Sequence, residues 1–181
     1  WYSGSGISRH VWMKVLDPLH TVQWGTYITT PQVNASSATA NIKTSISNNT
    51  SNALEVRLVT HILNAKAQEV AKAESKQTVG ANSSSEFSQH AVIAFPQRWS
   101  TETPALYTAV TEVFDNGRLT DKTETKFGVR SISFDAINGF MLNGKPMKLK
   151  GGCVHHDNGP LGAKAFDRAE ERRVEILKAC G

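Results

Sequence analysis

The sequence predicts an antiparallel β-sandwich, followed by a shorter region of different architecture. Three observations between about residues 20 and 130 support this fold class. Apolar and polar residues alternate with a period of two, the alternating segments are short and evenly spaced, and turn-forming residues separate them. The Asn116-Gly117 pair gives the clearest turn, because a tight hairpin turn needs two residues with positive φ. About seven such strands without a cysteine pair predict an immunoglobulin-like sandwich that lacks the antibody-type disulfide.

The strands can be assigned in chain order. Residues 7–16 alternate loosely and predict a first strand, and residues 22–29 predict a second, which Pro31 should end. The strongest period of two follows, with Ala38, Ala40, Ile42 and Ile46 on one face. Residues 64–79 are rich in alanine and suit a helix by propensity, but we assign a strand because both flanks read as strands and propensity is a weak guide. The remaining predicted strands are 54–62, 87–95, 106–114 and 119–127, after which 129–134 stays extended.

The last third of the sequence has a different pattern. Asn138-Gly139 and Asn143-Gly144 flank short apolar pieces, 140–142 and 147–149, which predict a small hairpin. A glycine-rich loop at 158–163 precedes an amphipathic helix at 169–179, with Asp167 and Glu170 in capping-box spacing and Gly181 as the C-cap. The chain therefore ends in strand, loop and helix, as one β/α unit does.

Composition excludes several classes of protein. A hydrophobic content of 39% and a charged content of 20% are typical of soluble globular domains. The net charge of +4 is spread along the chain without a basic run, so we expect no nucleic-acid partner. No apolar run approaches the roughly 20 residues that cross a bilayer, so we expect no membrane segment. Cys153 and Cys180 are expected to be free thiols, since two cysteines make a poor disulfide framework.

Five pieces in chain order resemble one known family. They are Gly4-Ser-Gly-Ile-Ser-Arg9; Trp99 with Pro104-Ala-Leu-Tyr107; Phe127-Gly-Val-Arg130; Phe140-Met-Leu-Asn-Gly-Lys-Pro146; and Lys150-Gly with His155-His-Asp157 and Leu161-Gly162. Together they resemble the family 2 glycoside hydrolases, the group of β-galactosidases, β-glucuronidases and β-mannosidases, and most of all its bacterial β-galactosidase-like members. Ser8 departs from the family's usual tyrosine.

The resemblance implies a domain order and a reaction. It places the end of a jelly-roll sugar-binding domain and a linker at 1–17, the immunoglobulin-like sandwich at 18–133, and the first β/α unit of a catalytic (β/α)8 barrel at 134–181. The implied reaction is retaining hydrolysis of a terminal β-glycoside by two carboxylates about 5 Å apart. Both glutamates of the family lie beyond Gly181, so we expect no catalytic residue in this chain. Glu170 and Glu171 belong to an outer helix.

His155 and Asp157 are the candidate substrate-binding residues. If residues 147–155 form the first barrel strand, His155 lies at its carboxyl end, where barrel active sites lie. The resemblance also aligns His155 with a histidine that lines the family's sugar pocket, where it would hydrogen-bond a hydroxyl. Asp157 matches a family position too, although an aspartate there also suits a turn. We expect no metal site at 155–157, because neighbouring strand residues point to opposite faces. No cofactor is expected in this chain, and metal ions in the longer protein stay open.

Two other classes of function stay open, a carbohydrate-binding module and a structural or adhesive sandwich. A carbohydrate-binding module needs exposed aromatic residues, whereas Trp24, Tyr27 and Trp99 are interpreted here as packing residues. For the longer protein we expect a β-galactoside or related oligosaccharide as substrate and a periplasmic or secreted location in a bacterium. For this chain we expect the apolar stripe of residues 169–180 to be disordered, to fold back on the sandwich or to mediate self-association with another chain.

Overall fold

The computed structural model describes residue 7, residues 9–155 and residues 158–181. The chain divides into two compact units. The larger unit is Leu16–Leu149, and the smaller unit combines Trp1–Val15 with Lys150–Gly181. The larger unit holds ten strands: β1 (Leu19–Val33), β2 (Ser37–Asn48), β3 (Leu54–Leu63), β4 (Glu69–Val79), β5 (Ser83–Ala94), β6 (Tyr107–Asp115), β7 (Arg118–Phe127), β8 (Ile132–Asp135), β9 (Gly139–Leu142) and β10 (Lys145–Pro146). The smaller unit holds a 3₁₀ turn (Gly159–Leu161) and helix α1 (Asp167–Cys180).

Strands β1 to β7 form the predicted antiparallel sandwich. One sheet has the order β1-β2-β5 and the other the order β4-β3-β6-β7. In β2 the residues at 38, 40, 42, 44, 46 and 48 are buried, which confirms the alternation read from the sequence. The Asn116-Gly117 turn between β6 and β7 is also confirmed, with φ of 47° and 85°. The prediction of a mainly β sandwich is therefore confirmed.

The core consists of two apolar clusters, each built from both sheets. One includes Ile42, Ile62 and Phe127, and the other includes Leu58 and Phe87. Because apolar side chains from facing sheets interdigitate in both clusters, burial holds the sheets together.

A buried polar bridge also joins the two sheets. Gln89 of β5 accepts a hydrogen bond from Thr60 Oγ1 of β3 at 2.7 Å and donates to the Leu58 carbonyl at 3.0 Å and to Ser75 Oγ of β4 at 3.0 Å. The Gln89 side-chain amide thus finds partners although it lies inside the sandwich, as buried polar groups require. Gln89 shares the inward face of β5 with Phe87 and Ala91.

The ambiguous alanine-rich segment is a strand, as assigned. β4 pairs with β3 from Leu54↔Val79 to Ile62↔Ala71, so a continuous ladder of backbone hydrogen bonds outweighs the helix propensity of the alanines. The preceding turn is held by Asn64, whose Oδ1 accepts from the backbone N–H of Lys66 at 2.9 Å and of Gln68 at 3.1 Å.

Three predictions about the strands are wrong: one predicted strand is absent and two strands end elsewhere. Residues 9–16 contain no strand, because no other segment pairs with them among the described residues. Pro31 lies inside β1, which is an edge strand with a register shift between Thr29 and Gln32, so the missing N–H breaks no ladder bond. Phe95 follows β5 as an exposed residue with φ of 44° and does not share the inward face of Phe87.

Side chains tie β1 to the far sheet. Asp121 Oδ2 of β7 accepts from the Thr21 backbone N–H of β1 at 2.8 Å. Just before β1, Asp17 Oδ2 accepts from Arg118 Nη1 at 2.7 Å, and this hydrogen bond is the main cause that lowers the pKa of Asp17 below its ordinary value. β1 and β7 are edge strands of different sheets, so these contacts close one side of the sandwich.

Beyond the sandwich, β8, β9 and β10 form a small antiparallel sheet in the order β10-β9-β8. The hairpin turn at Asn143-Gly144 is confirmed, with φ of 52° and 77°. The second hairpin strand is only Lys145–Pro146, so the predicted apolar piece 147–149 is not a strand.

Helix α1 confirms the predicted C-terminal helix but corrects its start. The residue before the helix is Phe166, and Asp167 is the first helical residue, so the predicted capping box is wrong. Asp167 Oδ2 instead lies 3.3 Å from His10 Nε2. The negative charge of Asp167 in the first turn interacts favourably with the helix dipole. Gly181 is the C-cap with φ of 88°, as expected. Within the described residues, no helix has the length and apolarity that a membrane span requires.

Candidate functional site

His155 is exposed and lies in irregular backbone, since residues 147–155 form no strand. The prediction that His155 ends a barrel strand is therefore wrong for this chain. A parallel barrel strand needs hydrogen-bonded neighbours, and no described strand pairs with 147–155. Instead, the backbone carbonyl of His155 accepts a hydrogen bond from Arg173 Nη1 of α1 at 3.2 Å. Asp157, the second candidate, lies outside the described residues, as does His156.

Asn158 joins the glycine-rich loop to the helix. Its Oδ1 accepts from Arg173 Nη2, and its Nδ2 donates to the Lys164 carbonyl at 3.0 Å. Glu170 completes the group, with a carboxylate oxygen 3.4 Å from Arg173 Nη1. The loop backbone turns on itself, because Asn158 N–H donates to the Gly162 carbonyl at 3.0 Å. Arg173 of α1 therefore holds Asn158, and Asn158 in turn bonds the Lys164 carbonyl at the far end of the loop.

Three cavities formed by the described residues each lack a pair of carboxylates. A cavity of about 670 Å³ near the β3–β4 turn includes Glu124, and one of about 490 Å³ beside β9 and β10 includes Glu102. A third, of about 350 Å³, lies on α1 between Asn158 and the side chains of Ile176 and Leu177. Hydroxyl and backbone hydrogen bonds, first that of Thr101 Oγ1, lower the pKa of Glu102, so it is poorly suited to act as a general acid.

No metal centre is formed by the described part of the chain, where no three His, Cys, Asp or Glu side chains come together. Cys153 and Cys180 are exposed free thiols. Glu170 and Glu171 lie on α1 and pair with Arg173 and Arg168 respectively.

A second cluster gathers motif residues that sequence reasoning had left as separate pieces. The indole of Trp99 packs directly against Gly128, where an added Cβ would lie 2.8 Å from Trp99 Cβ. The backbone N–H of Trp99 donates to the carbonyl of the fully buried Val129 at 2.8 Å. The guanidinium carbon of Arg130 lies 5.0 Å from the centre of a Trp99 ring, in cation–π range.

Asn143 connects this cluster to the small sheet. Its Nδ2 donates to the Trp99 carbonyl at 2.9 Å, and its Oδ1 accepts from the Ser131 N–H at 3.1 Å. Asn143 therefore bonds two segments as well as forming the β9–β10 turn. We name Trp99, Gly128, Val129, Arg130 and Asn143 the junction cluster. The family motifs signalled these residues, but only the fold shows that they form one structural unit where the sandwich passes into the next segment.

The interpretation of Trp24 and Tyr27 as packing residues is wrong. Trp24 is 92% exposed and Tyr27 is 65% exposed. Trp24 lies where the β1–β2 register shifts, between the pairs Thr21↔Ile46 and Thr26↔Thr44, and has φ of 54°. A register shift of this kind changes the direction in which side chains point, and the alternation of apolar and polar residues in the sequence gives no sign of it. Trp99 does pack, against Gly128.

Comparison with known proteins decides the family. The family model described as glycosyl hydrolases family 2 matches residues 23–130, which is more than half of the chain. The chain belongs to glycosyl hydrolase family 2. The match begins in β1 and ends at Arg130 of the junction cluster, so it covers nearly the whole sandwich.

Relatives in family 2 share the entire length of this chain, or nearly so. The β-galactosidase BoGH2A of Bacteroides ovatus is 40% identical over 181 residues, which are 100% of this chain and 21% of that protein. A β-glucuronidase of Formosa agariphila is 27% identical over 97% of this chain and 19% of its own length. The chain therefore spans about a fifth of the length of these relatives.

Solved structures agree with the sequence comparison. The family 2 member from Bacteroides cellulosilyticus superposes with a TM-score of 0.94 and 44% identity, over 100% of this chain and 25% of that one. The Bacteroides uniformis β-glucuronidase superposes with a TM-score of 0.79 and 28% identity, over 90% of this chain and 20% of its own. The fold of this chain is thus a fold of family 2 proteins.

Proposed function

We propose that this chain is a non-catalytic part of a longer retaining β-glycosidase, of β-galactosidase type, that hydrolyses terminal β-glycosides. The observation that carries the proposal is the match of the whole chain to about a fifth of BoGH2A, at 40% identity. That relative is named a β-galactosidase, which supports a galactoside as the substrate. In this proposal, residues 18–133 are the immunoglobulin-like domain and 134–181 open the catalytic barrel.

Two features of the smaller unit support this role. The apolar side chains Val174, Ile176 and Leu177 of α1 are exposed, as expected for a helix that packs against further elements of a longer protein. Residues 150–155 form no strand among the described residues, as expected for a segment whose strand neighbours would lie elsewhere in a longer protein. His155 would then contribute a hydrogen bond to a sugar hydroxyl once the barrel is complete.

The 181-residue chain is expected to give only background turnover of a nitrophenyl β-galactoside. Retaining hydrolysis needs two carboxylates about 5 Å apart in one site, and none of the three cavities described above includes two carboxylates. The measurement is nitrophenol release, with a heat-unfolded sample as blank and an active family 2 β-galactosidase as positive control. Clear turnover by the chain would contradict its non-catalytic role.

The activity of the longer protein is tested separately. The reading frame that contains these residues should encode two further catalytic glutamates downstream, and its product should cleave nitrophenyl β-galactoside faster than the β-glucuronide. A product that prefers the glucuronide would overturn the proposed substrate class while leaving the family unchanged.

Carbohydrate binding by the sandwich is a second candidate, favoured by the exposure of Trp24 and Tyr27. Tyr27 pairs in register with Lys43, whose Nζ lies 2.8 Å from Glu86, so hydrogen-bonding groups flank an exposed ring. Titration with β-galactosides or β-glucans should then change tryptophan fluorescence saturably, and W24A should abolish that change. The matched control is W12A, which removes another exposed tryptophan in the smaller unit. No saturable change would remove this candidate.

A further inference from the structure

We propose that Arg173 is the positioning residue for His155 and for the loop at residues 158–164. This inference rests on the proposed sugar-binding role of His155 and adds to it a residue that acts through the backbone. Arg173 lies on α1, 18 positions after His155, and reaches back to the His155 carbonyl at 3.2 Å. Its other terminal nitrogen, Nη2, donates to Asn158 Oδ1. One guanidinium thus bonds both the His155 carbonyl and the Asn158 side chain.

The chemistry of this contact requires an arginine. A guanidinium presents several N–H donors in a rigid plane, so it can bind two acceptors at once. An ammonium on a flexible stem would satisfy one of them with less preorganisation. Glu170, one helical turn before Arg173, contacts the same guanidinium at 3.4 Å and limits its rotation.

Partial burial makes this group stronger than a surface ion pair. The side chains of Arg173 and Glu170 are 25% and 29% exposed, whereas those of Arg168 and Glu171 on the same helix are 65% and 66% exposed. Water screens the exposed pair more effectively, and such pairs contribute little. The acceptors of Arg173 lie in the loop, so its hydrogen bonds order the loop as well as the helix.

Asn158 extends the effect to the far end of the loop. While its Oδ1 accepts from Arg173, its Nδ2 donates to the Lys164 carbonyl at 3.0 Å. Without Arg173, the side-chain amide of Asn158 would lose its fixed orientation, and its hydrogen bond to the Lys164 carbonyl would weaken. The backbone turn from Asn158 N–H to the Gly162 carbonyl, at 3.0 Å, would open more often as a result.

The test uses the intact 181-residue chain and the variants Arg173→Gln and Arg173→Lys. Hydrogen exchange followed by NMR should show the Asn158 and Gly162 amides exchanging on the order of 10-fold faster in Arg173→Gln, because charge-assisted hydrogen bonds to the loop are lost. Arg173→Lys should restore part of this protection, and the His155 ring resonances should shift in both variants. Amides within α1 and the sandwich report on folding and should change little.

Arg168→Gln is the matched control. Arg168 is also an arginine of α1 and pairs with Glu171 at 3.0 Å and with Glu175 at 2.9 Å, both on the same helix. It should leave the loop amides and the His155 resonances unchanged. Equal effects of Arg168→Gln and Arg173→Gln, or full protection in Arg173→Gln, would overturn the proposal.

A titration separates this inference from the function on which it rests. In the longer protein, which completes the barrel, methyl β-galactoside at high concentration should shift the His155 ring resonances of the wild type, and the shift should weaken in Arg173→Gln. If the wild type shows no shift while the loop amides lose protection in Arg173→Gln, the sugar-binding role of His155 fails and the positioning by Arg173 stands.

Discussion

Replacing Gly128 by alanine is expected to lower the free energy of unfolding by about 1 to 3 kcal/mol, the usual cost of overpacking. The new Cβ would lie 2.8 Å from Trp99 Cβ, 2.9 Å from its Cγ and 3.0 Å from its Cδ1. These atoms are the root of the indole, so a rotation of its outer edge cannot relieve the clash.

Trp99 also has little freedom to move as a whole. Its backbone N–H is bonded to the Val129 carbonyl at 2.8 Å, and its own carbonyl is bonded to Asn143 Nδ2 at 2.9 Å. A shift of Trp99 would strain both hydrogen bonds and move Asn143, which orders the β9–β10 turn. The alanine variant should therefore loosen the junction cluster as well as destabilise the sandwich.

Denaturant unfolding of Gly128→Ala, Trp99→Ala and the double variant measures this effect. The double variant lacks the indole, so Gly128→Ala should cost less in the Trp99→Ala background than in the wild type, and the coupling should be clearly non-additive. Gly151→Ala is the control, because a Cβ at Gly151 meets nothing within 4 Å. Strict additivity, or equal stability of Gly128→Ala and Gly151→Ala, would show that the close approach of Trp99 carries no cost.

Regular pairing explains which parts of the fold the sequence could predict. The residues of β2 and β5 alternate because one face of each strand meets the other sheet, and pairs such as Ala40↔Ala91 and Ile42↔Gln89 keep that face aligned. Gln89 shows the limit of hydrophobicity as a signal. Its parity predicts the inward face, although its side chain is polar, and only the facing Thr60 explains why it is tolerated there.

Features that depend on contacts distant in sequence could not be predicted. Trp24 is exposed at a register shift in β1, which changes the face of the sheet to which the side chains point. No feature of the amino-acid composition marks that shift. The guanidinium of Arg173 bonds the His155 carbonyl, whereas periodicity places Arg173 only on a helix without indicating where its side chain reaches. The predicted barrel strand failed for a related reason, since a parallel strand depends on neighbours that the described chain does not supply.

Asn48 is a further residue whose role the sequence concealed, because it reads as part of the Asn-rich turn after β2. The structure buries its side chain completely. Asn48 Nδ2 lies within hydrogen-bonding distance of the carbonyls of Asn52 at 2.8 Å, Gly80 at 3.0 Å and Val79 at 3.1 Å. Asn48 Oδ1 accepts from the N–H of Thr50 at 3.0 Å and from its Oγ1 at 2.7 Å. One side chain thus ties the β2–β3 turn to the β4–β5 turn.

Asn48→Ala is expected to lower the free energy of unfolding by about 2 to 4 kcal/mol, because it leaves the buried Val79 carbonyl and the Thr50 N–H without their partner and opens a small cavity. Denaturant unfolding measures the loss. Asn49→Ala is the matched control: Asn49 is the exposed neighbour that accepts only from Ser47 Oγ among side chains, at 3.0 Å, so its removal should change stability by no more than about 0.5 kcal/mol.

Asn48→Asp adds a finer test of the same residue. A carboxylate keeps the acceptor for Thr50 but faces the Val79 and Gly80 carbonyls without a donor, so the variant should be destabilised at neutral pH despite its matching shape. A stable Asn48→Asp variant would show that the Nδ2 contacts with the β4–β5 turn are dispensable.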